Sequence, residues 1–299
     1  MESLADIGED DVVARITRDL IQSQNVVVGP GDDCAVIDIG NEKIYQLLKT
    51  DCIIEGVHYE ANASPERVGW KAVARVVSDF AAMGGVAEHF LITVAMTKDT
   101  SVKYIESLYI GMQRCADAFG ADICGGETSA IPENSAAMIS VAGTGSVAKS
   151  QCVTRNGGRA GDAILVTGQL GGSIEGKHLD FTPRINEAGW LTGNYDIHAM
   201  MDLSDGVGRD LPRLAAASGC EYQISLEDLP TTPGCDYAKA LGDGEDYELM
   251  FALNQTDIDD LMSDWPKNFP DLPLTKIGNL CEMGQGDELE NTGWQHFNS

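Results

Sequence analysis

The stretch from Ser64 to Gly85, SPERVGWKAVARVVSDFAAMGG, constrains the fold most, because it predicts one long helix with a carboxylate on its apolar face. Its first serine can cap the helix, Pro65 suits the first helical position, and the two final glycines end it. At about 100° per residue, Asp79 lies between Val76 and Met83 in the apolar stripe. An ionised carboxylate there is costly unless a cation or hydrogen-bond donors meet it. Asp79 is therefore either a structural residue with a hydrogen-bonding or charged partner, or one of several carboxylates that share a cation.

The composition is that of a globular protein with a strong excess of acid. The chain has 299 residues, 43% of them hydrophobic, and a formal net charge of -27. This charge argues against nucleic acid and anionic membranes as partners, although much of it can be a solvated acidic surface. The acidic N-terminus is unlike a basic signal peptide, and no apolar run is long enough to span a bilayer. We expect a cytoplasmic protein whose anionic substrates are bound through metal ions.

Predicted strands alternate with predicted helices in both halves of the chain. This alternation favours two α/β domains, which we predict at residues 1–148 and 149–299. Between these two domains, residues 154–162 (TRNGGRAGD) have the composition of a loop. The length of the chain is sufficient for two domains with separate cores.

Carboxylates recur where the predicted strands end. A strand predicted at 44–50 ends before Asp51, and one at 121–124 ends before Glu127. Ligands usually bind at strand ends in α/β folds, although any single such residue is more often a turn or capping aspartate. Several carboxylates without paired histidine or cysteine favour a hard ion, magnesium before calcium or zinc. Magnesium held by few carboxylates shares its remaining positions with water and phosphate oxygens, which points to a nucleotide. The carboxylates concerned are Asp32, Asp33, Asp51, Glu127, Asp202, Asp205, Glu245 and Asp246.

The usual nucleotide-binding motifs are missing from the sequence. It contains no GxxxxGK[ST] loop and no GxGxxG between a predicted strand and helix. The glycine-rich turn at 168–173 is a weak phosphate-loop candidate and is equally consistent with a plain tight turn. Phosphoryl transfer would therefore depend on metal ions, with Arg155 as an additional cation.

Seven motifs in one order resemble the thiamine-monophosphate kinases, in the superfamily that includes aminoimidazole ribonucleotide synthetase. Each motif is modest alone, but the seven occur in one order, and the resemblance covers the chain from about residue 8 to residue 297. In chain order they are GDDCAV at 31–36, TDCIIEGVHY at 50–59, SDFAAMGG at 78–85, GGETS at 125–129, VTRNGGRAGD at 153–162, DLSDGVGRDL at 202–211 and GEDYELMF at 244–251.

The resemblance implies the fold, the reaction and the assembly. The fold would be a two-domain α/β (α+β) architecture of the aminoimidazole ribonucleotide synthetase type. The reaction would be ATP-dependent, magnesium-assisted phosphorylation of thiamine phosphate to thiamine diphosphate by direct transfer. The protein would be a homodimer whose N-terminal domains pair through their sheets, with the active site between the two domains.

The same resemblance implies roles for individual residues by motif position. Magnesium would be held by Asp33, Thr50, Asp51, Asp79, Glu127, Asp202 and Asp205. Among these, the catalytic residues would be Asp33, Asp79 and Asp205. The nucleotide phosphates would lie near Gly126, Glu127, Arg155 and Ser204. Thiamine phosphate would be contacted by His58, Glu245 and Trp294.

Three positions depart from the family pattern. Glu127 stands where the family usually has aspartate, so its carboxylate reaches one methylene further. Lys49 stands where the family often has a small residue, and it can replace part of the cation charge. The stretch 173–183 is much shorter than the helix that the family has there. We expect the last departure to affect the substrate side more than the metal side.

Other interpretations remain open at this point. His58 can be an ordinary hydrogen-bonded loop residue, and Trp294 can anchor the C-terminal tail. The whole chain can be another ATP-using enzyme of the superfamily acting on a different small molecule. A non-enzymatic acidic metal-binding protein is the remaining alternative.

Overall fold

The computed structural model describes residues 2–289, 293–295 and 297, in which helices and strands alternate along the chain. The helices are α1 (Leu4–Thr17), α2 (Pro65–Ala82), α3 (Val102–Ala118), α4 (Ile185–Asn194), α5 (Val207–Ala217), α6 (Tyr237–Gly242) and α7 (Ile258–Asn268). The strands are β1 (Val26–Val28), β2 (Ala35–Ile37), β3 (Ile44–Ile54), β4 (Val86–Thr97), β5 (Asp122–Ile131), β6 (Met138–Ala148), β7 (Ala163–Thr167), β8 (Ile197–Asp202), β9 (Glu221–Ile224), β10 (Leu249–Leu253) and β11 (Leu274–Cys281).

The strands form two separate sheets. A six-stranded sheet has the order β1-β2-β3-β6-β4-β5, and a five-stranded sheet has the order β8-β10-β7-β11-β9. The pairing of β4 with β5 is parallel, whereas the other paired strands are antiparallel. The predicted mixed α/β class with two sheets is thus confirmed. The boundary between residues 148 and 149 follows the last strand of the first sheet and stays a prediction.

Helix α2 lies at the centre of the molecule, as its sequence indicates. Most of its residues after Arg67 are buried, because it packs between the six-stranded sheet, α3 and α4. Its approach to α3 is close because Gly69 and Gly111 have no side chains. A Cβ at Gly69 would lie 2.0 Å from the carbonyl oxygen of Leu108, and one at Gly111 would lie 1.8 Å from that of Glu66.

The six-stranded sheet has one face covered by α2 and one open face. Side chains alternate along β3, so that Leu47 is buried beneath the helices whereas Leu48 is exposed on the opposite face. Leu91 of β4 is 54% exposed and lines the same broad groove as Leu48. The described part of the chain therefore carries an uncovered apolar sheet face.

Two predicted strand ends are wrong. β3 continues through Asp51 to Ile54, and β5 continues through Glu127 to Ile131. The register shifts at Cys124, because Phe90 pairs with Ile123 and Leu91 pairs with Gly125, and the glycines continue the strand instead of forming a turn. A Cβ at Gly126 would lie 1.7 Å from the carbonyl oxygen of Ile92, so this glycine permits close strand pairing.

Other differences concern polar or short elements. The apolar pattern of residues 9–22 predicts a first helix, whereas α1 extends over Leu4–Thr17, and α4, α6 and β9 were not predicted. The stretch 173–183 contains two short 3₁₀ turns, Ser173–Glu175 and Lys177–Leu179. In the described residues, every helix is too short or too polar to cross a membrane.

Candidate active site

Helix α2 presents a row of polar side chains to the space between the two sheets. Lys71, Arg75 and Ser78 follow one another at spacings of four and three, and Asp79 adjoins the last of them. Each contacts a different residue, and two of these partners lie on β3. Their partners are, in the same order, Glu245, Asp51, Asp202 and Lys49. One helix therefore supplies four polar side chains to the site.

Three buried carboxylates meet beside this row. Asp33 follows the bend after β1, Asp79 lies on α2 and Asp202 ends β8, and one oxygen of each lies within 4.8 Å of the others. Ser78 donates a hydrogen bond of 2.5 Å to Asp202. Both sheets thus contribute to one cluster, which we call the carboxylate cluster.

The electrostatics of the carboxylate cluster favour a bound cation. Burial and the charge of Asp33 raise the pKa of Asp202 to about 7, although Ser78 acts in the opposite direction. Burial also raises the pKa of Asp79 above its ordinary value, despite the attraction of Lys49. Close carboxylates in a buried site repel one another when ionised, and a cation removes that repulsion.

Two protein cations already contact the carboxylate cluster. The Nζ atom of Lys49 lies 2.7 Å from Oδ1 of Asp79, and a guanidinium nitrogen of Arg155 lies 2.5 Å from Oδ1 of Asp33. Lys49 is therefore the cation that the buried carboxylate on the helix requires. Arg155 is also fixed through its main chain, because its N–H donates to Asp32 at 3.0 Å.

A second buried network, which sequence reasoning missed, surrounds Lys71. Its ammonium lies 2.7 Å from both carboxylate oxygens of Glu245, 2.6 Å from the carbonyl oxygen of His58 and 2.7 Å from Nδ1 of His178. Burial opposes ionisation of Glu245, but His178 and Lys71 outweigh it and lower the pKa of Glu245 to about 2. The only signal in the sequence was that Lys71 shares a polar helix face with Arg75 and Ser78, which does not identify Glu245 as its partner.

Two residues of this network, His58 and Glu245, line a small cavity of about 70 Å³. His58 is buried there, and its Nδ1 accepts the N–H of Ile54 at 3.0 Å. Trp294 lines the cavity, and its main-chain N–H donates to the carbonyl oxygen of Asp205 at 3.0 Å. The cavity thus brings together the three residues predicted to contact thiamine phosphate. The lining residues that matter here are Val57, His58, Ile174, Ser204, Glu245 and Trp294.

A larger cleft of about 630 Å³ lies on the other side of Asp205. Lys49, Arg155 and Arg213 line it together with residues of α1 and the turn at Pro30 to Asp32. Arg213, another residue that sequence reasoning missed, lies 2.6 Å from Oδ2 of Asp205. The cleft is large enough for a nucleotide and offers cations to its phosphates.

Four residues that were predicted to lie at the metal or the nucleotide are outside the carboxylate cluster. Thr50 is exposed on the open face of β3, and Asp51 lies near the cluster but pairs with Arg75 at 3.1 Å. Gly126 and Glu127 lie on the exposed outer strand β5, three strands away from β3, a separation of about 14 Å. Their roles at the metal and nucleotide stay predictions.

The carboxylate cluster fits a hard divalent ion. Its donors are carboxylate oxygens, which magnesium prefers. Opposite oxygens around magnesium lie about 4 Å apart, so side-chain shifts of less than about 1 Å would bring the three carboxylates into its coordination sphere.

Comparison with known proteins gives one consistent result. Residues 31–147 match the family described as AIR synthase related protein, N-terminal domain. A thiamine-monophosphate kinase of Rhodopirellula baltica is 33% identical over 282 residues, which cover 88% of this chain and 85% of that protein. The thiamine-monophosphate kinase of Aquifex aeolicus is 32% identical and covers 98% of this chain and 99% of its own length.

A solved structure agrees with these relatives over the whole fold. The structure described as AaThiL complexed with AMPPCP and TMP superimposes with a TM-score of 0.83 at 31% sequence identity. The match covers 99% of each chain. The fold is therefore shared over both sheets.

Proposed function

The chain belongs to the thiamine-monophosphate kinases, and from this membership we propose how its own residues transfer a phosphoryl group from ATP to thiamine phosphate, giving thiamine diphosphate and ADP. The observation that carries the proposal is the meeting of Asp33, Asp79 and Asp202 from both sheets between a large cleft and a small cavity. This position suits the junction of a phosphoryl donor and an acceptor.

The nucleotide is proposed to bind in the cleft lined by Lys49, Arg155 and Arg213. These cations would hold the phosphates, as arginines and lysines do in other phosphoryl-transfer sites. The carboxylate cluster would hold magnesium, which neutralises the phosphate charge that develops during transfer. Asp33 and Asp202 would contact the ion from the two sheets.

Thiamine phosphate is proposed to bind in the cavity near His58 and Trp294. Glu245 stays ionised there because Lys71 and His178 favour its charged form. A carboxylate and an indole ring suit a cationic heterocycle, through charge attraction and stacking respectively. The acceptor phosphate would then point towards Ser204 and the carboxylate cluster.

The same proposal includes a homodimer and a cytoplasmic location. Pairing through the open sheet face would bury Leu48 and Leu91, which are exposed in the single chain. It would also place Thr50 and Glu127 near a second chain, which accounts for their separation from Asp79.

An acceptor screen tests the proposed reaction. The purified chain is incubated with ATP and magnesium, and ADP release is measured with thiamine phosphate, thiamine or formylglycinamidine ribonucleotide. We expect release above background with thiamine phosphate alone. Release with another acceptor and none with thiamine phosphate would assign the chain to a different reaction of the superfamily.

A further inference from the structure

The position of Lys49 has a consequence for how the protein binds its divalent ion. Its ammonium comes from β3, and the carboxylate that it contacts comes from α2 at a distance of 2.7 Å. The side chains of Lys49 and Asp79 are 22% and 8% exposed, so water screens the pair weakly. A protein cation therefore lies against one of the carboxylates proposed to hold magnesium.

The strand geometry fixes Lys49 on this side of the sheet. Successive side chains of β3 alternate, so Lys49 faces α2 together with Leu47 and Asp51, whereas Leu48 and Thr50 face the opposite way. Asp51 is already paired with Arg75. Asp79 is thus the carboxylate with which Lys49 forms its hydrogen bond.

Two cations at one carboxylate repel each other. A divalent ion bound to Asp79 would lie within a few ångströms of the ammonium in a buried site, where like charges interact strongly. Lys49 also lines the large cleft beside Arg155, and its four-carbon stem is flexible. The ammonium can therefore turn towards the cleft, where nucleotide phosphates would be a new partner.

We infer that Lys49 is a tethered counter-cation that competes with the divalent ion for Asp79. In the metal-free protein it neutralises the carboxylate. A divalent ion coordinates Asp79 fully when the ammonium moves to the cleft, and bound nucleotide favours that move. The wild type therefore binds divalent ions weakly alone and more tightly with nucleotide. This inference rests on the proposed function, because it assumes that the carboxylate cluster holds the ion.

Manganese binding measures this competition without turnover. Free Mn²⁺ is followed by electron paramagnetic resonance with and without AMPPCP, a non-hydrolysable ATP analogue. Lys49→Met and Lys49→Gln remove the ammonium, and the second retains a hydrogen-bond donor. Without AMPPCP, we expect each to bind Mn²⁺ at least about 10-fold more tightly than the wild type. The gain in affinity on adding AMPPCP should shrink by a similar factor.

Two control variants separate the competition from a change in overall charge. Lys49→Arg keeps a cation near Asp79 and should bind Mn²⁺ like the wild type. Lys43→Met removes a charge from an exposed lysine just before the same strand and should also leave the affinity unchanged. In an Asp79→Asn background, Lys49→Met should lose its effect, because the shared ligand is gone.

Three outcomes would overturn the inference. One is unchanged or weaker Mn²⁺ binding in both neutral variants, and another is an equal gain in Lys43→Met. The third is that Lys49→Met tightens Mn²⁺ binding by the same factor in the Asp79→Asn background as in the wild type. Failure of the proposed function is a separate result, because a wild type that binds Mn²⁺ with nucleotide but makes no thiamine diphosphate would contradict the reaction alone.

Discussion

At the scale of single residues, the site depends on buried charges that neutralise one another. Asp79 lies on an apolar helix face, where the sequence required a partner, and Lys49 provides it at 2.7 Å. The sequence identified the need because a carboxylate interrupted the helical stripe. It could not identify the partner's position, because Lys49 lies 30 residues earlier on a strand whose length was underestimated.

Asp79→Asn should lower the rate of phosphoryl transfer by at least about 100-fold, because a ligand for transition-state charge is lost. The rise in melting temperature on adding magnesium and ATP should also shrink. Asp162→Asn is the matched control, since Asp162 is buried but contacts His198 away from the cluster. It should lower stability and keep the response to magnesium and ATP. Normal turnover in Asp79→Asn would show that Asp79 is a structural residue.

Glu245 should make stability depend on pH in the acid range. Its folded pKa of about 2 lies below its ordinary value of 4.5, so the unfolded chain binds its proton first. Its stabilising contribution is complete above about pH 4.5 and is lost as the pH falls towards 2. Between pH 7 and pH 3, the wild type should lose about 2 kcal/mol more unfolding free energy than Glu245→Gln. Urea unfolding at several pH values measures this, and parallel losses in both proteins would contradict the proposed ion pair.

At the scale of elements, α2 was predicted within a few residues because its caps, apolar stripe and terminal glycines agree. The predictions of β3 and β5 were too short, because polar residues and paired glycines in a sequence resemble turns. Inside a sheet they instead alternate across a strand or permit close pairing. α4 was missed because Gly189 and a short apolar pattern weaken its helical signal, whereas packing against α2 stabilises it.

The contact between α2 and α3 gives a test at this scale. Gly111→Ala should lower the free energy of unfolding by at least about 2 kcal/mol, because the new methyl group meets the backbone of α2. Gly189→Ala in α4 is the matched control, because nothing lies within 4 Å of where its Cβ would be. It should be neutral or stabilising by up to about 1 kcal/mol. Equal effects of the two changes would contradict the close helix packing.

At the scale of the whole molecule, the two sheets meet at one reactive region, and one sheet keeps an open face. The motifs predicted the shared region because three of them supply Asp33, Asp79 and Asp202, whereas the GGETS motif lies away from it on β5. Contacts between distant segments were beyond prediction from the sequence. Lys71 contacts Glu245 across 174 positions, and neither residue shows that pairing in its local sequence.

The proposed dimer is tested by placing a charge on the open face. Leu91→Glu should convert a dimer to a monomer in light scattering, because an ionised carboxylate would be buried at the interface. Ile110→Glu is the control, since Ile110 is also exposed but lies on α3. It should leave the mass unchanged. A wild type that is monomeric at high concentration would contradict the proposed assembly.

The most direct test of the account is the fate of the terminal phosphate of ATP. The wild type is incubated with thiamine phosphate, magnesium and ATP labelled in its γ-phosphate, and the products are separated. We predict that the label appears in the terminal phosphate of thiamine diphosphate, in a one-to-one ratio with ADP, and that chelation of magnesium abolishes transfer. Label found only in inorganic phosphate, or transfer that is unchanged by chelation, would contradict magnesium-assisted direct transfer.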